Sequence, residues 1–76
     1  MWKTELQEKS QALFRTIPRY RLVKELGPDH EKVFEVEILI SNKVYGQGRG
    51  KSKKEAEQMA AEKTLTQIAA LNGHGL

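Results

Sequence analysis

A cluster of lysines at the start of a predicted helix is the most distinctive chemical feature of the sequence. Three lysines surround Ser52 in the stretch GRGKSKKEAEQMAAEKTL: Lys51, Lys53 and Lys54. Glu55 follows Ser52 by three residues, and Ser-x-x-Glu is the capping box that begins an α-helix. Because a helix start already carries partial positive charge and unpaired N–H groups, lysines there cost stability unless an anion binds. The pattern therefore predicts a site for an anion.

Three glycines precede these lysines: Gly46, Gly48 and Gly50. They are predicted to keep the approach to the helix start free of side-chain bulk. A nucleotide-binding P-loop is a competing interpretation, and it requires the spacing G-x-x-x-x-G-K-[ST] after a strand of a parallel βαβ unit. Here the spacing from Gly46 to Gly50 is one residue too short, and the preceding strand is predicted to be antiparallel. The P-loop interpretation is therefore rejected.

Charge is distributed unevenly along the chain. The formal net charge is +3, from 13 Lys and Arg against 10 Asp and Glu. Residues 43–54 contain five basic side chains and no acid, which gives +5, whereas residues 25–42 contain five acids and one lysine, which gives −4. A segment with such a local positive field suits a polyanion. Charge alone also fits a solvated surface with chance clustering.

A polar stripe lies on the first predicted helix, which runs from Lys3 to about Phe14. Leu6 and Leu13 mark the apolar side of this helix. Amide, hydroxyl and carboxylate groups occupy the opposite side, at i, i+3, i+4 and i+7: Thr4, Gln7, Glu8 and Gln11. An ordinary solvated face fits this pattern. The mostly uncharged groups both donate and accept hydrogen bonds, however, and so they also suit sugar hydroxyls and base edges.

A histidine occupies the loop between the first two predicted strands. Gly27, Pro28 and Asp29 precede His30 and supply the residue types of a turn. Metal binding is not expected there, because His74 is the only other histidine and the chain has no cysteine. His30 is either a polar turn residue or a side chain that reaches into a groove and exchanges hydrogen bonds.

No catalytic constellation is predicted. Five glutamates lie around the second helix or on the outer face of the central strand, and we interpret them as solvated carboxylates: Glu35, Glu37, Glu55, Glu57 and Glu62. No nucleophile has a base in reach by any spacing argument. We therefore expect neither a cofactor, nor a metal, nor a small-molecule ligand for this chain.

Length and composition narrow the setting. A chain of 76 residues corresponds to one compact domain with a thin core. Without cysteine, no disulfide reinforces that core and nothing points to secretion. No apolar run approaches the roughly 20 residues of a membrane span. We expect a single cytoplasmic domain over residues 1–76, with a core from about 2 to 71, a frayed tail over 72–76 and no membrane partner.

Turn residues and hydrophobic periodicity define five elements. After the first helix come the strand candidates RYRLVKEL, KVFEVEILI and VYGQG, joined by GPDHEK and SNK. The second helix follows the Ser52 cap and continues to about Leu71. Its inward stripe is predicted to contain Ala56, Met59, Ala60, the stem of Lys63, and Ile68. This order predicts an α+β fold, with two helices packed on one face of a three-stranded antiparallel sheet.

Three motifs resemble those of the double-stranded-RNA-binding domain: KTELQE at 3–8, GPDH at 27–30 and GKSKKEAEQMAA at 50–61. Within that family they are most similar to the C-terminal domain of bacterial ribonuclease III. The resemblance covers about residues 2–71 and implies the α-β-β-β-α fold. It also implies binding of double-stranded RNA by shape, across two minor grooves and the intervening major-groove phosphates.

The resemblance implies a role for each motif. The polar stripe of the first helix would enter one minor groove, and the loop with Pro28 and His30 would enter the next. The start of the second helix would grip phosphates across the major groove through Lys51, Ser52, Lys53 and Lys54. Lys43 and Arg49 would add positive field without fixed contacts.

A longer parent protein is also implied. Its nuclease domain, which would use Mg²⁺ and form a homodimer, has no counterpart here, so this chain is expected to be monomeric and to bind RNA without cleaving it. Met1 stands where the family often has a helix-capping Asp, which suggests that the natural protein extends further upstream. Lys9 and Ser10 stand where the family often has an apolar residue, which predicts a looser first helix. Three alternatives are a protein-interaction or dimerisation module of the same fold, an enzyme, and a ribosomal protein of related topology.

Overall fold

The computed structural model describes residues 1–71, so the frayed tail predicted for residues 72–76 lies outside the described residues. Two helices flank three strands in the order α1 (Trp2–Phe14), β1 (Arg19–Leu26), a 3₁₀ turn (Asp29–Glu31), β2 (Val33–Ile40), β3 (Lys43–Gly50) and α2 (Lys53–Leu71). The strands form one antiparallel sheet in the order β1-β2-β3. The predicted α-β-β-β-α fold is confirmed.

The connection between β2 and β3 shows how local chemistry sets the sheet register. Ser41 and Asn42 both have positive φ, at 51° and 66°, which is the conformation of the two-residue turn that joins antiparallel strands with the natural twist. Ile40 consequently pairs with Lys43. Since side chains alternate along a strand, this register directs Val36, Ile38 and Ile40 to the same side of the sheet as the helices.

The core is small and lies between that face of the sheet and the two helices. Its buried apolar members are Leu6, Val36, Ile38, Ile40, Ala56, Ala60, Ala61 and Ile68. Two sequence predictions about it were wrong: Leu13 is 44% exposed, and Lys63 is exposed. Ser10 and Thr64 are buried instead. Each lies one helical turn after a core residue, Leu6 and Ala60 respectively.

Both buried hydroxyls have partners, which explains why the thin core tolerates them. Ser10 Oγ donates a hydrogen bond to the carbonyl oxygen of Thr16 at 2.6 Å, which ties the end of α1 to the following loop. Thr64 Oγ1 accepts a hydrogen bond from the N–H of Gly46 at 2.9 Å, which ties α2 to β3. A buried hydroxyl with a hydrogen bond costs far less than one without, so Ser10 fixes the end of α1 and Thr64 fixes α2 on the sheet.

The glycines of β3 serve packing against α2. The prediction that they clear the approach to the helix start was wrong for Gly46 and Gly48, whereas Gly50 does lie against the first turn of α2, where a Cβ would be 2.8 Å from Glu55 Cβ. A Cβ atom on Gly46 would lie 2.7 Å from Thr64 Oγ1, and one on Gly48 would lie 2.5 Å from the carbonyl oxygen of Ala56. Both neighbours belong to α2, with Thr64 in the middle of the helix and Ala56 one turn from its start. The glycines let α2 approach the strand closely because they present no side chain.

The open face of the sheet carries paired charges instead of free carboxylates. Glu35 and Glu37 are only 7% and 8% exposed, so their interpretation as solvated groups was wrong. Arg49 Nε donates to Glu35 at 2.8 Å, and Arg21 Nε donates to Glu37 at 2.9 Å. These residues face each other across the strands, and the long arginines of the edge strands lie over the central glutamates. Arg49 is thus paired within the sheet.

Candidate nucleic-acid interface

The polar stripe on α1 forms one continuous surface. Its members are all exposed and, together with Ala12, line a shallow depression: Thr4, Gln7, Glu8 and Gln11. Leu6, at the opposite side of the helix, is fully buried in the core. The structure therefore brings the four predicted residues together with their amide, hydroxyl and carboxylate groups directed outward.

The loop between β1 and β2 is built to project His30. Gly27 has φ of +88°, and a Cβ there would lie 2.7 Å from the carbonyl oxygen of Glu31, so the position requires glycine. The extended Pro28 follows, and its carbonyl oxygen accepts a hydrogen bond from the N–H of Glu31 at 2.9 Å. The imidazole of His30 is 78% exposed at the tip of this turn.

An ion network fixes the base of the same loop. The ammonium of Lys32 lies 3.0 Å from Glu25 Oε1 and 3.8 Å from Asp29 Oδ1, and so it bridges the end of β1 to the 3₁₀ turn. The hydrogen bond from Lys32 lowers the pKa of the Glu25 carboxyl, and the charge of Lys32 adds to that effect. The loop is held at its base and free at its tip, which suits insertion into a groove.

The predicted capping box at the start of α2 is confirmed. Ser52 Oγ accepts a hydrogen bond from the N–H of Glu55 at 3.1 Å, and Glu55 Oε1 accepts one from the N–H of Lys51 at 2.7 Å. The cap fixes the first turn and leaves the side chains of Lys51, Lys53 and Lys54 exposed. Three exposed lysines therefore lie at a capped helix terminus, which itself carries partial positive charge.

The loop and the helix start lie side by side. One depression is lined both by the 3₁₀ turn, including His30, and by Lys51. Lys53 reaches back over Phe34 at the start of β2, with its ammonium 6.0 Å from the ring centroid. Two of the three predicted contact regions thus form a continuous edge of the molecule, although His30 and Lys51 are 21 residues apart in sequence.

Lys3 connects the third region, α1, to α2, and sequence reasoning missed this contact. The N–H of Lys3 donates to Gln58 Oε1 at 3.2 Å, and its ammonium forms an ion pair with Glu57. The interpretation of Glu57 as a solvated carboxylate was therefore wrong. The only sequence signal was the position of Lys3, one residue before the polar stripe.

Comparison with known proteins decides the family. Residues 2–68 match the family described as the double-stranded RNA binding motif, which is most of the chain. The chain belongs to this family. The predicted membership is confirmed, and double-stranded RNA is the ligand of the domain.

Bacterial relatives of this RNA-binding domain are ribonucleases. Ribonuclease 3 of Helicobacter pylori strain Shi470 is 52% identical over 67 residues, which is 88% of this chain and 28% of the relative. Ribonuclease 3 of Syntrophobacter fumaroxidans is 49% identical over 69 residues, again 28% of its length. The chain thus spans little more than a quarter of the relatives that it matches.

Solved structures share the fold at lower identity. HYL1 of Arabidopsis, from a study of miRNA processing, is 32% identical and superposes with a TM-score of 0.77 over 91% of this chain and 97% of that one. Dicer of Pichia stipitis is 31% identical with a TM-score of 0.62, over 99% of this chain and 33% of that one. The α-β-β-β-α architecture is therefore common to both.

Two further observations concern the described part of this RNA-binding domain. Among residues 1–71, no three His, Cys, Asp or Glu side chains come together as the ligands of a metal would. Neither helix in this range combines the length and apolar character that crossing a bilayer requires.

Replacing His30 by alanine is expected to weaken binding of duplex RNA about three- to tenfold, which corresponds to one or two lost hydrogen bonds. The side chain is exposed, so thermal unfolding should be unchanged. Titration with a duplex long enough to fill the whole site measures the effect. Gln67→Ala is the control, because it removes an exposed, uncharged side chain near the far end of α2, outside the proposed contacts, and should not weaken binding. Unchanged affinity of His30→Ala would remove this residue from the interface.

Proposed function

We propose that this chain is the substrate-binding domain of a ribonuclease III endonuclease and that it holds duplex RNA at three surfaces. The observation that carries the proposal is the joint edge formed by the His30 loop and the capped, lysine-rich start of α2. Such an edge offers a groove-inserting tip next to a phosphate clamp. It favours RNA binding over the protein-interaction alternative, which would be expected to lack the lysines.

The α1 stripe would read one minor groove. In A-form RNA this groove is wide and shallow and displays 2′-hydroxyls, which both donate and accept hydrogen bonds. Gln7 and Gln11 can do the same through their amides, Thr4 through its hydroxyl, and Glu8 can accept from a hydroxyl. These groups would recognise the sugar and therefore distinguish RNA from DNA.

The other two surfaces would supply spacing and affinity. The loop with Pro28 and His30 would enter the next minor groove, and the α2 start would contact phosphates between the two grooves with Lys51, Ser52, Lys53 and Lys54. A duplex of about 16 base pairs is needed to reach both minor grooves. Because phosphates and 2′-hydroxyls are common to every sequence, binding would tolerate any base sequence.

The parent protein would supply the chemistry. We infer a Mg²⁺-dependent nuclease domain elsewhere in a homodimeric, cytoplasmic parent, with this domain, residues 1–76, monomeric in isolation. The inference is supported by the relatives, of which the chain spans only 28%. Incubated with duplex RNA and Mg²⁺, this chain should leave the RNA intact.

Equilibrium titration with three ligands of the same sequence tests the proposed function. Duplex RNA should bind at least about tenfold more tightly than duplex DNA or single-stranded RNA, because only A-form RNA presents both the groove shape and the 2′-hydroxyls. Equal affinity for duplex RNA and duplex DNA would mean that the α1 stripe does not read the sugar. Preference for single-stranded RNA would overturn the proposal.

A further inference from the structure

Lys3 contacts residues of both α2 and β1. Its backbone N–H donates to Gln58 Oε1, its ammonium pairs with Glu57, and the same ammonium lies 4.8 Å from the centroid of the Tyr20 ring. Glu57 and Gln58 lie in α2, more than 50 residues away along the chain, and Tyr20 lies in β1. One side chain at the start of α1 is therefore attached to two other elements.

The surroundings of these contacts make them stronger than an ordinary surface ion pair. The side chains of Lys3 and Glu57 are 37% and 26% exposed, so both are partly shielded from water. The hydroxyl of Tyr20 is buried and has no hydrogen-bond partner among the described residues. Burial raises the pKa of Tyr20 to about 12, and the charge of Glu57 contributes to the increase.

Two regions that would contact RNA meet at this connection. Lys3 immediately precedes Thr4, the first residue of the polar stripe, while Glu57 and Gln58 lie one turn beyond Lys53 and Lys54 in α2. The angle between α1 and α2 determines whether the stripe and the lysines can reach their grooves together. A rigid connection lowers the entropic cost of binding both, because less motion is lost in the complex.

We propose that Lys3 is a positioning residue, which holds the α1 stripe in register with the α2 lysines through Glu57 and Gln58 and does not itself bind RNA. This inference rests on the proposed function. The two can fail separately: a wild-type chain that did not bind duplex RNA would refute the proposed function, whereas the variants below test the role of Lys3. The ammonium is already occupied by a carboxylate and an aromatic face, so it is not free for a phosphate.

Lys3→Met keeps the aliphatic stem and removes the charge. It is expected to weaken binding of a duplex that fills the site about five- to tenfold, a loss typical of a broken coupling between neighbouring groups. Glu57→Gln should weaken binding similarly, although it removes a negative charge, and Lys3→Arg should restore most of the affinity. The slope of log Kd against log salt should stay at its wild-type value, since no phosphate contact is lost.

The double variant Lys3→Met with Glu57→Gln separates positioning from charge repulsion. If Lys3 acts by positioning, the double variant should bind RNA as weakly as Lys3→Met alone. If the loss in Lys3→Met came only from an unpaired Glu57 repelling RNA, the pair would recover wild-type affinity, and the proposal would be overturned. Tighter binding by Glu57→Gln, together with a salt slope flattened by about 1 in Lys3→Met, would show a direct phosphate contact and overturn it equally.

Coupling to Gln7 provides a readout that general loss of stability would not change. If Lys3 acts by placing the stripe, Lys3→Met should cost much less in a Gln7→Ala background than in the wild type, because the displaced contact is already absent. Full additivity of the two losses would contradict the proposal. Where thermal unfolding shows that Lys3→Met is not folded, Gln58→Ala replaces it, because it removes only the acceptor of the Lys3 N–H.

Discussion

Replacing Lys53 and Lys54 together by alanine is expected to produce the largest loss of affinity, roughly a hundredfold or more at low salt, since two hydrogen bonds to charged groups are lost and each is worth about 1.5 kcal/mol or more. It should also flatten the slope of log Kd against log salt by roughly 1–2, because each phosphate contact releases counterions and changes the B-DNA slope by about 0.9. The loss should be the same for every duplex sequence.

The fold should survive this double substitution. Both side chains are exposed, and the Ser52 and Glu55 hydrogen bonds that begin α2 do not use them. Removing positive charge from a helix N-terminus is, if anything, slightly stabilising. Thermal unfolding should therefore be unchanged or moved to a slightly higher temperature, and the loss of affinity cannot be assigned to unfolding.

Lys43→Ala with Lys63→Ala is the matched control. It also removes two positive charges, but from exposed positions outside the proposed contacts. Lys43 lies beside the far end of α2, and Lys63 lies beside Met59 and Gln47. Its salt slope should remain close to that of the wild type. A wild-type slope in the Lys53 and Lys54 variant would mean that the start of α2 is not a phosphate clamp.

Gln7→Ala should behave in the opposite way. It removes a hydrogen-bonding amide and no charge, so affinity should fall about three- to tenfold with the salt slope nearly unchanged. The preference for duplex RNA over duplex DNA should also decrease, because it depends on 2′-hydroxyl contacts. A flattened salt slope for Gln7→Ala would contradict the assignment of separate roles to the two surfaces.

Gly48→Ala is expected to have the largest effect on stability. The new Cβ would lie 2.5 Å from the carbonyl oxygen of Ala56 and closer still to the amide of Ala60, and backbone atoms cannot rotate away. Overpacking of this kind costs about 3 kcal/mol, whereas a domain of this size has roughly 4–11 kcal/mol of total stability. The midpoint of thermal unfolding should fall by roughly 10–25 °C.

Gln47→Ala is the control for this substitution. Gln47 is the preceding residue of the same strand, but its side chain is on the open face of the sheet and exposed. Its unfolding midpoint should change by only a few degrees. If Gly48→Ala were as stable as Gln47→Ala, β3 and α2 could separate without cost, and the packing role assigned to the glycines would be wrong.

Local chemistry is what sequence reasoning predicted well. The capping box at Ser52 and Glu55, the turn through Gly27 and the alternation along β2 each depend on residues close together in the chain. These features follow from hydrogen bonds and dihedral angles that neighbouring residues determine by themselves. The fold order and the grouping of the α1 stripe were therefore available before any tertiary contact was known.

Tertiary contacts account for the predictions that failed. Glu35 and Glu37 alternate as solvent-facing residues should, but arginines from both neighbouring strands cover them, and sequence periodicity does not specify such pairs. The position of Gly48 before the lysines suggested that it clears the approach to the helix start. Its role is instead determined by α2, which packs on it. Lys3 likewise pairs with a partner 54 residues away.

The most direct test of the interface is an amide NMR titration of the wild-type chain with a duplex RNA of about 16 base pairs. We predict that chemical-shift changes cluster in three places, along α1 from Thr4 to Gln11, in the loop around His30, and at the start of α2 from Lys51 to Lys54. Amides of the open sheet face, such as that of Arg21, should remain unperturbed. Changes concentrated on the open sheet face, with the three surfaces silent, would contradict the proposed mode of binding.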